Sequence, residues 1–327
     1  MKKLFNIFVV SFALVFSSSV FANKIGVVYD SGGKFDKSFN ELAFNTAERV
    51  KNELGWEMVE FESSNDAQIE QGMRKIADRG ATMIVGMGFA QADAVAAVSA
   101  DYPDIKFVAV DVCWLDDPNN NIYQACYKEH EGSFLVGMMA AMASKTGTIG
   151  FVGGMDIPLI RKFQGGYEQG AQYVNPDIEV LANMTGTTNE AWNNPTKGAE
   201  LTKAQIDGGA DVVYQAAGGT GIGVLQAAAD AGIMGIGVDA NQNWMHPGNM
   251  LTSMLKRLDL TIFAQAEAIA AGTFEPSGQF LSLGLAEGGV GYATEDGMVT
   301  DEMAAAVDAA AADIASGAIV VADWSQE

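Results

Sequence analysis

Apolar strands and amphipathic helices alternate along the first part of the chain. Residues 24–29 form an apolar run that is typical of a buried strand, and residues 41–54 repeat apolar positions with helical spacing. Because each strand is followed by a helical stretch, the pattern predicts a doubly wound α/β lobe with a parallel sheet. The other elements predicted for this lobe are strands at 56–62, 81–85 and 106–110 and helices at 66–79 and from about residue 90.

A polar loop at residues 111–121 interrupts this order, and the alternation then begins again. The loop leads to an extended segment at 122–127 and to a helix at 132–143, whose small residues and methionines indicate a packed core element. Since a second series of strands and helices follows, the sequence predicts a second, similar lobe. Its strands are predicted at 148–152, 178–184, 212–215 and 235–238, and its helices at about 164–174, 195–208 and 224–231.

The last part of the chain predicts how the two lobes are joined. We interpret its elements as a return to lobe one followed by a final crossing to lobe two, which gives a hinge of three crossings. These elements are a strand at 251–255, a helix at 258–271, a strand at 280–284 and a helix at 303–316. Lobe one is then expected to contain residues 23–129 and 255–277, and lobe two residues 130–254 and 278–327.

The amino terminus has the features of a secretory signal. Lys2 and Lys3 precede an apolar run at residues 4–16, and residues 17–22 end in Val-Phe-Ala. We therefore expect residues 1–22 to be removed and the mature chain to be soluble and exported. No later apolar stretch reaches the roughly 18 to 20 residues that span a bilayer. No cysteine lies near the cleavage point, so a lipid-anchored amino terminus is not expected.

Charge and cysteine content narrow the range of functions. The formal charge is −22, and it becomes −24 without the signal because Lys2 and Lys3 are the only charged residues there. Such a surface repels nucleic acid and anionic lipid, so neither is an expected partner. In an oxidising compartment, Cys113 and Cys126 either pair as a disulfide or remain as two buried free thiols.

Signatures of enzymes and metal sites are missing from the sequence. The chain has two cysteines and two histidines, and they are not spaced closely along the sequence as the ligands of a zinc site are. These residues are Cys113, Cys126, His130 and His246. The glycine-rich segment at 216–223 lacks both the third glycine of a dinucleotide fingerprint and the lysine of a P-loop. The chain also contains no GxSxG motif. We therefore expect no catalytic residues, no metal ion and no cofactor.

Polar and aromatic residues recur where the predicted strands end. The loop at 30–40, DSGGKFDKSFN, joins the first strand to the first helix, and open α/β sheets bind ligands at such strand ends. Asp36 or Ser38 can cap the helix, which leaves Phe39 and Asn40 facing a crevice. An ordinary capped turn with Phe39 in the core is the alternative. The residues that could line a cleft together are Asp30, Phe39, Asn40, Asp111, Trp192, Gly218, Asp239 and Lys256.

The chemical types of these residues suit a nucleoside. Phe39 and Trp192, one from each lobe, could hold a flat ring between them. Asp239 and Lys256 could form hydrogen bonds with vicinal hydroxyl groups. Because no nucleophile lies nearby in the pattern, this set of residues indicates binding rather than catalysis.

Five segments, in this order along the chain, resemble the basic membrane protein family of ABC-transporter solute receptors, in its purine nucleoside receptor A-like branch. They are DSGGKFDKSFNELAF, AWNNPTKGAEL, YQAAGGTGIGVLQAA, GIGVDANQ and LTSMLKRLD, and the similarity covers essentially the whole mature chain. The resemblance implies a type I periplasmic-binding-protein fold that closes on a purine nucleoside. It also implies delivery of the nucleoside to an ABC permease in the inner membrane.

The resemblance gives each candidate residue a role. The residues that would contact the base from lobe one are Asp30, Ser38, Phe39 and Asn40, with Asp111 at the next strand end. Trp192 stands where similar receptors have a stacking Phe. The lobe-two residues that would approach the ligand through their backbone are Gly218 and Gly219, and those that would hold the ribose are Asp239 and Lys256.

The expected protein is a monomeric, soluble periplasmic receptor that works by hinge closure. It would differ from the many lipid-anchored members of the family. Two other interpretations keep the fold: a receptor for a free purine or another flat heterocycle such as riboflavin, and a ligand-sensing receptor. A nucleoside-cleaving enzyme is the alternative from a different class, and the missing acidic metal cluster argues against it.

Overall fold

A computed structural model describes residues 22–63 and 65–326 of the chain. Within these residues, two sheets of six strands each are accompanied by α-helices, so the two-lobed α/β fold expected from the sequence is confirmed. The predicted signal, residues 1–22, lies outside the described residues except for its last residue. In the described part of the chain, no helix is both long and apolar enough to cross a bilayer.

Strands and helices are numbered in chain order. The strands are β1 Lys24–Tyr29, β2 Glu57–Glu62, β3 Met83–Met87, β4 Lys106–Val110, β5 Ile122–Tyr127, β6 Thr148–Met155, β7 Glu179–Gly186, β8 Val212–Ala216, β9 Met234–Asp239, β10 Met250–Lys256, β11 Ser282–Leu283 and β12 Val290–Tyr292. The helices are α1 Phe39–Leu54, α2 Ile69–Asp78, α3 Ala92–Asp101, α4 Glu129–Ala143, α5 Pro158–Val174, α6 Pro195–Asp207, α7 Gly221–Asp230, α8 Leu258–Ala271 and α9 Asp301–Ser316.

The two sheets have equivalent strand orders. The first sheet has the order β11-β5-β4-β3-β1-β2, with parallel pairing throughout. The second has the order β12-β10-β9-β8-β6-β7, and its edge pair β10–β12 is antiparallel. Each strand therefore has a counterpart in the other lobe: β1 corresponds to β6, β4 to β9 and β5 to β10. The carboxyl ends of equivalent strands can supply equivalent side chains to a shared site.

The residue pattern of each strand agrees with its place in the sheet. β1 and β3 lie between other strands, and nearly all of their residues are buried. β2 lies at an edge, and its residues are exposed or half-buried. Parallel strands that are covered on both faces are almost continuously apolar, whereas an edge strand can keep polar positions.

The chain crosses between the lobes three times. It leaves the first sheet after β5 and enters α4, which packs in lobe two against α5; it returns after β10 to α8, which packs on α1. The final crossing, between β11 and β12, differs in position from the sequence expectation. Because β11 pairs with β5, the chain stays with lobe one through Leu283, whereas lobe two was expected to resume at residue 278. A strand of two residues has no periodicity by which a sequence could reveal this pairing.

Two helices begin earlier than their sequence patterns indicate. α5 begins at Pro158 rather than near residue 164, with the proline in its first turn, where its missing N–H is not needed. α4 begins at Glu129 rather than at residue 132. α4 and α5 pack so closely that glycine is required at their contact. A Cβ at Gly137 of α4 would collide with the carbonyl oxygen of Tyr167 in α5. The middle of α5 therefore packs directly against α4.

Cys113 and Cys126 form a disulfide, with their Cα atoms 5.8 Å apart. Cys113 follows the end of β4, and Cys126 lies near the end of β5, its parallel neighbour. Of the two states left open by the sequence, the structure has the paired one. The bond joins the loop that begins at Asp111 to the adjacent strand of lobe one.

Candidate ligand-binding site

The carboxyl ends of the two sheets face each other across a cavity. The cavity is lined from lobe one by segments that follow β1, β3 and β4, and from lobe two by α5, by segments after β7 and β8, and by the ends of β9 and β10. Open α/β sheets bind ligands at this edge. The lining includes seven residues that were predicted from the sequence: Asp30, Phe39, Asp111, Trp192, Gly218, Asp239 and Lys256.

Asp36 caps α1 and shapes the loop below the cavity. Its carboxyl oxygens accept hydrogen bonds from the backbone N–H groups of Ser38 at 2.9 Å, Asn40 at 3.0 Å and Glu41 at 3.1 Å. Burial raises the pKa of Asp36 to about 7, although these N–H groups act in the opposite sense. The sequence allowed either Asp36 or Ser38 to cap the helix, and the structure assigns the cap to Asp36.

Asn40 lies outside the cavity lining and forms hydrogen bonds with Asp30. Its side chain is fully buried, and Nδ2 donates to Asp30 Oδ1 at 2.5 Å and to Gly33 O at 3.1 Å. Its Oδ1 accepts from the backbone N–H of Asp30 at 3.1 Å. Because the amide makes these contacts and does not line the cavity, Asn40 does not have the geometry of the expected base-contacting residue. It positions Asp30, which does line the cavity.

Two side chains form hydrogen bonds directly across the cleft. Ser38 Oγ lies 2.8 Å from Asp239 Oδ2 and 3.0 Å from the carbonyl oxygen of Val238. Gln242 Nε2 donates to the carbonyl oxygen of Lys37 at 3.0 Å. Ser38 is fully buried and lies outside the cavity lining, so it joins the lobes instead of contacting the base as expected. The two lobes are therefore in contact beside the cavity, as in a closed state.

Glycines allow the lobes to approach each other at this point. Gly218 lines the cavity with a left-handed backbone φ of 54°. A Cβ at Gly219 would lie 3.1 Å from the carbonyl oxygen of Gly32 in lobe one and 3.2 Å from that of Trp192. Gly218 therefore has the expected position on the cavity wall. Gly219 lies instead at the contact between the lobes.

Aromatic rings line the cavity from both lobes. Phe39 lies at the start of α1 and is 8% exposed, and Trp192 lies in the segment after β7. The indole of Trp192 packs on Gly154, where any Cβ would collide with it. Phe89 from lobe one and Phe163 from lobe two add further aromatic surface. This wall suits a planar ligand because aromatic rings stack on flat π-systems.

Lys256 is a buried cation held by two carboxylates. It is 1% exposed, and its Nζ lies 2.6 Å from Asp111 Oδ1 of lobe one and 3.0 Å from Glu129 Oε1. Nζ also lies 5.3 Å from the centroid of the Phe39 ring, within the range of a cation–π contact. Burial acts to lower the pKa of Lys256, but the charges of the neighbouring carboxylates outweigh it and hold that pKa above its ordinary value. The ammonium group is therefore charged.

Asp111 and Asp239 have equivalent places in the two lobes. Asp111 follows β4 and Asp239 ends β9, and both have left-handed backbone angles, with φ of 62° and 65°. Non-glycine residues in this conformation are uncommon, and they concentrate at functional sites. Burial raises the pKa of both side chains, that of Asp111 to about 6, against the opposing charge of Lys256.

Sequence reasoning missed one wall of the cavity and the second partner of the buried lysine. The missed wall is formed by α5, through Leu159, Ile160 and Phe163. These residues were missed because the helix was expected to begin near residue 164. Pro158, shortly after a strand end, was the signal for the true start. Glu129 is fully buried although its side chain carries a carboxyl group. It follows the apolar strand β5 with Lys128 between them, much as Asp111 follows β4, and this position near a strand end was the available signal.

The cavity offers aromatic faces, carboxyl groups and one ammonium group, which are groups for binding a polar, planar molecule. In residues 22–63 and 65–326, no group of three or more His, Cys, Asp or Glu side chains is arranged to hold a metal ion.

Two similar α/β lobes, a three-crossing hinge and a cavity between the lobes define a two-lobed substrate-binding protein. Solved structures with this architecture include an ABC transporter system solute-binding protein from Aeropyrum pernix K1. Its TM-score is 0.82 and its identity 27%, over 92% of this chain and 93% of that one. Another, from Conexibacter woesei DSM 14684, has a TM-score of 0.74 and 26% identity, over 93% of this chain and 99% of that one.

The chain belongs to the Bmp family of PnrA-like ABC transporter substrate-binding proteins, whose family model matches residues 22–324. It is similar to Basic membrane protein A2 of Borrelia garinii subsp. bavariensis, with 34% identity over 91% of this chain and 88% of the relative. A relative from Lactococcus lactis subsp. cremoris, 31% identical over 91% of this chain and 88% of its own length, is named ABC transporter nucleoside-binding protein BmpA. The resemblance derived from the five sequence segments is confirmed.

The protein is therefore an extracytoplasmic substrate-binding protein of an ABC transporter and not an enzyme, with a small-molecule ligand and a membrane permease as its partners. A relative from Pyrococcus furiosus, 33% identical over 84% of this chain and 71% of its own length, is named an uncharacterized lipoprotein. The soluble, unanchored form of the present protein stays a prediction.

Proposed function

We propose that this protein binds a purine nucleoside in the cavity and delivers it to the permease. The observation that carries the proposal is that Phe39 and Trp192 line one cavity from opposite lobes, together with Asp239 and Lys256. The first pair suits a planar base, and the second suits hydroxyl groups. A nucleoside presents both kinds of group on neighbouring rings.

The base would pack among the aromatic side chains. A bicyclic purine gives more stacking area than a pyrimidine, and Phe89 and Phe163 extend the aromatic surface beyond Phe39 and Trp192. Asp30 is held in place by Asn40 and can accept a hydrogen bond from an N–H group of the base. The proposal agrees with the name of the relative from Lactococcus lactis, which is described as nucleoside-binding.

The ribose would lie against the charged part of the lining. Asp239 can accept hydrogen bonds from vicinal hydroxyls, and Lys256 can donate to one of them. Both residues end neighbouring strands of lobe two, so their spacing is set by the sheet. Hydrogen bonds to charged groups contribute about 1.5–3 kcal/mol each, which is enough to distinguish a nucleoside from its free base.

Ligand binding would stabilise the closed arrangement of the lobes. Such a ligand contacts Phe39 and Asp30 of lobe one and Trp192 and Asp239 of lobe two, so its contacts are complete only when the cleft is closed. The closed surface is what the permease would bind. We expect the receptor to act as a periplasmic monomer.

Isothermal calorimetry with adenosine, guanosine, inosine, uridine, adenine and riboflavin tests the proposal. At least one purine nucleoside should bind with micromolar or tighter affinity, and more tightly than uridine or the free base. Absence of heat with all purine nucleosides would contradict the proposal. Tighter binding of adenine or riboflavin would identify the protein as a receptor for a different flat heterocycle.

Uptake of radiolabelled nucleoside by cells that lack the gene separates transport from ligand sensing. Delivery to a permease predicts that uptake falls in the deletion strain and returns when the gene is restored. Unchanged uptake, combined with binding in the calorimeter, would indicate a sensing role.

A further inference from the structure

The charged groups that line the cavity are mostly carboxyl groups. The lining contains four carboxyl groups and a single cation, Lys256. The carboxyl groups belong to Asp30, Asp36, Asp111 and Asp239. All except Asp30 are less than a tenth exposed. A ligand that enters this space meets more negative than positive charge, in surroundings where solvent screens charges poorly.

The charge of Lys256 is already compensated within the protein. Its Nζ lies 2.6 Å from Asp111 and 3.0 Å from Glu129, which is itself fully buried behind the cavity wall. Glu129 also lies 3.5 Å from Lys162. A phosphate group placed beside Lys256 would therefore compete with two carboxylates, and it would gain no unpaired cation.

Helix amino termini are common anion sites in folds of this type, but two of those beside the cavity have few N–H groups free to bind an anion. Asp36 accepts hydrogen bonds from the N–H groups of Ser38, Asn40 and Glu41 at the start of α1. α5 begins with Pro158, which has no N–H, and the nearby Arg161 is held by both carboxylate oxygens of Asp156 at 2.8 and 2.9 Å.

Cations on the loop after β1 are paired as well. Lys34 Nζ lies 2.6 Å from Glu60, and Lys37 Nζ lies 3.0 Å from Glu41. The loop that the sequence singled out thus contributes no unpaired positive charge that could neutralise a phosphate at the cavity.

We infer that this site selects uncharged nucleosides and rejects their 5′-phosphates, and that Asp111 and Glu129 determine this selectivity by neutralising Lys256. The inference rests on the proposed nucleoside function. Its physical basis is that a buried anion without a partner cation is costly. A nucleoside 5′-phosphate outside the cytoplasm would then become a ligand only after hydrolysis of its phosphomonoester.

Calorimetry with three ligands separates charge from size. Adenosine is the reference, adenosine 5′-monophosphate adds a charged group, and 5′-methylthioadenosine adds an uncharged group at the same position. The monophosphate should bind at least about 100-fold more weakly than adenosine, and the methylthio compound within about tenfold of it. Comparable binding of the monophosphate would overturn the inference. Equal loss for both extended ligands would also overturn it, because size and not charge would then explain the rejection.

Two variants test the residues that are assigned to the selectivity. Glu129→Gln, which lies outside the cavity lining, should narrow the preference for adenosine over its monophosphate by about tenfold, because Lys256 loses one of its two compensating charges. Asp111→Asn should also narrow the preference for adenosine over its monophosphate. This second variant provides the test if Glu129→Gln does not fold. The control is Asp104→Asn, which changes the net charge equally at an exposed position. Equal narrowing in the control would show that net charge, rather than these residues, sets the preference.

A second measurement tests the inference even if no nucleoside binds and the proposed function fails. Thermal unfolding of the wild-type protein with inorganic phosphate, compared with chloride at equal ionic strength, should show no specific stabilisation. Stabilisation by phosphate that disappears in Lys256→Met would overturn the inference. Phosphate stabilisation that appears in Glu129→Gln but not in wild type would support it.

Discussion

Ser38 and Asp239 belong to different lobes, and Ser38 Oγ lies 2.8 Å from Asp239 Oδ2. The hydroxyl also lies 3.0 Å from the carbonyl oxygen of Val238, so a single side chain of lobe one contacts the end of β9 twice. Asp239 is also the carboxylate that we propose for the ribose. One residue therefore connects lobe closure with ligand recognition.

Ser38→Ala should weaken ligand binding without changing the lining of the cavity. The variant removes a hydrogen bond to a charged group, which contributes about 1.5–3 kcal/mol, so affinity should fall by about tenfold or more. Calorimetry measures the affinity, and small-angle scattering measures the fraction of closed molecules. Ser316→Ala is a matched control because that hydroxyl is exposed and bonds only within its own helix end, to Asp313. If both variants bind like wild type, the contact between the lobes does not contribute to closure.

Gly219→Ala should hinder closure by steric contact. Its Cβ would lie 3.1 Å from the carbonyl oxygen of Gly32 in the opposite lobe, so the lobes would have to separate slightly. We expect affinity to fall by about tenfold. Thermal stability should fall slightly, because the same Cβ would lie 3.2 Å from the carbonyl oxygen of Trp192 within lobe two. Gly291→Ala is the control, since a Cβ there meets no atom within 4 Å. Wild-type affinity in Gly219→Ala would show that the closed state is looser at this contact.

The fold could be predicted from the sequence because its signals are local. Apolar runs such as residues 24–29 and helical periodicity such as residues 41–54 record burial directly, and their order along the chain determined the two lobes. β11 could not be found in this way. It is defined by pairing with β5, which is distant in sequence and leaves no pattern in two residues.

The candidate site was predicted less completely, for a similar reason. Residue type and position at a strand end placed Asp111, Asp239 and Lys256 in one cavity, but they did not show which groups each side chain contacts. Asn40 and Ser38 were expected to contact the base, and their hydrogen bonds go instead to Asp30 and Asp239. Such roles depend on distances between segments, which sequence spacing does not contain.

The stability contributed by Asp111 should depend on pH in a defined direction. Burial raises its folded-state pKa from 3.8 to about 6, so the folded protein holds the proton more tightly than the unfolded chain. This favourable contribution is complete below the unfolded pKa and is lost as pH rises through the folded pKa. Relative to Asp111→Asn, the wild-type free energy of unfolding should therefore decrease between about pH 4 and pH 7, by on the order of 2 kcal/mol.

Urea denaturation of both proteins at a series of pH values measures this difference. Taking the difference cancels the effect of the large net negative charge, which both proteins share. Asp104→Asn serves as the control for removal of one carboxyl group at an exposed position. A difference for Asp111→Asn that is constant, or that increases with pH, would contradict the assigned direction of the pKa shift.

Reduction of the disulfide should destabilise the folded protein. Cys113 and Cys126 are separated by 13 positions, and closing a loop of that length typically stabilises a protein by about 3 kcal/mol. The urea midpoint should therefore fall when dithiothreitol is added. The Cys113→Ser/Cys126→Ser double variant should already have the lower midpoint and show no further change on reduction. Identical midpoints for oxidised and reduced wild type would mean that the bond does not constrain the unfolded chain.

In the proposed complex, lobe two binds the ribose through Asp239 while aromatic side chains hold the base. Calorimetric titration of adenosine and of adenine into wild type and Asp239→Ala tests it directly, with Asp104→Ala as the control for net charge. The proposal predicts that wild type binds adenosine with micromolar or tighter affinity. It also predicts a loss of about 100-fold or more for adenosine in Asp239→Ala, and a smaller loss of about tenfold for adenine, for which only the contact between Ser38 and Asp239 is removed. Equal losses for adenosine and adenine, or no loss for either, would contradict it.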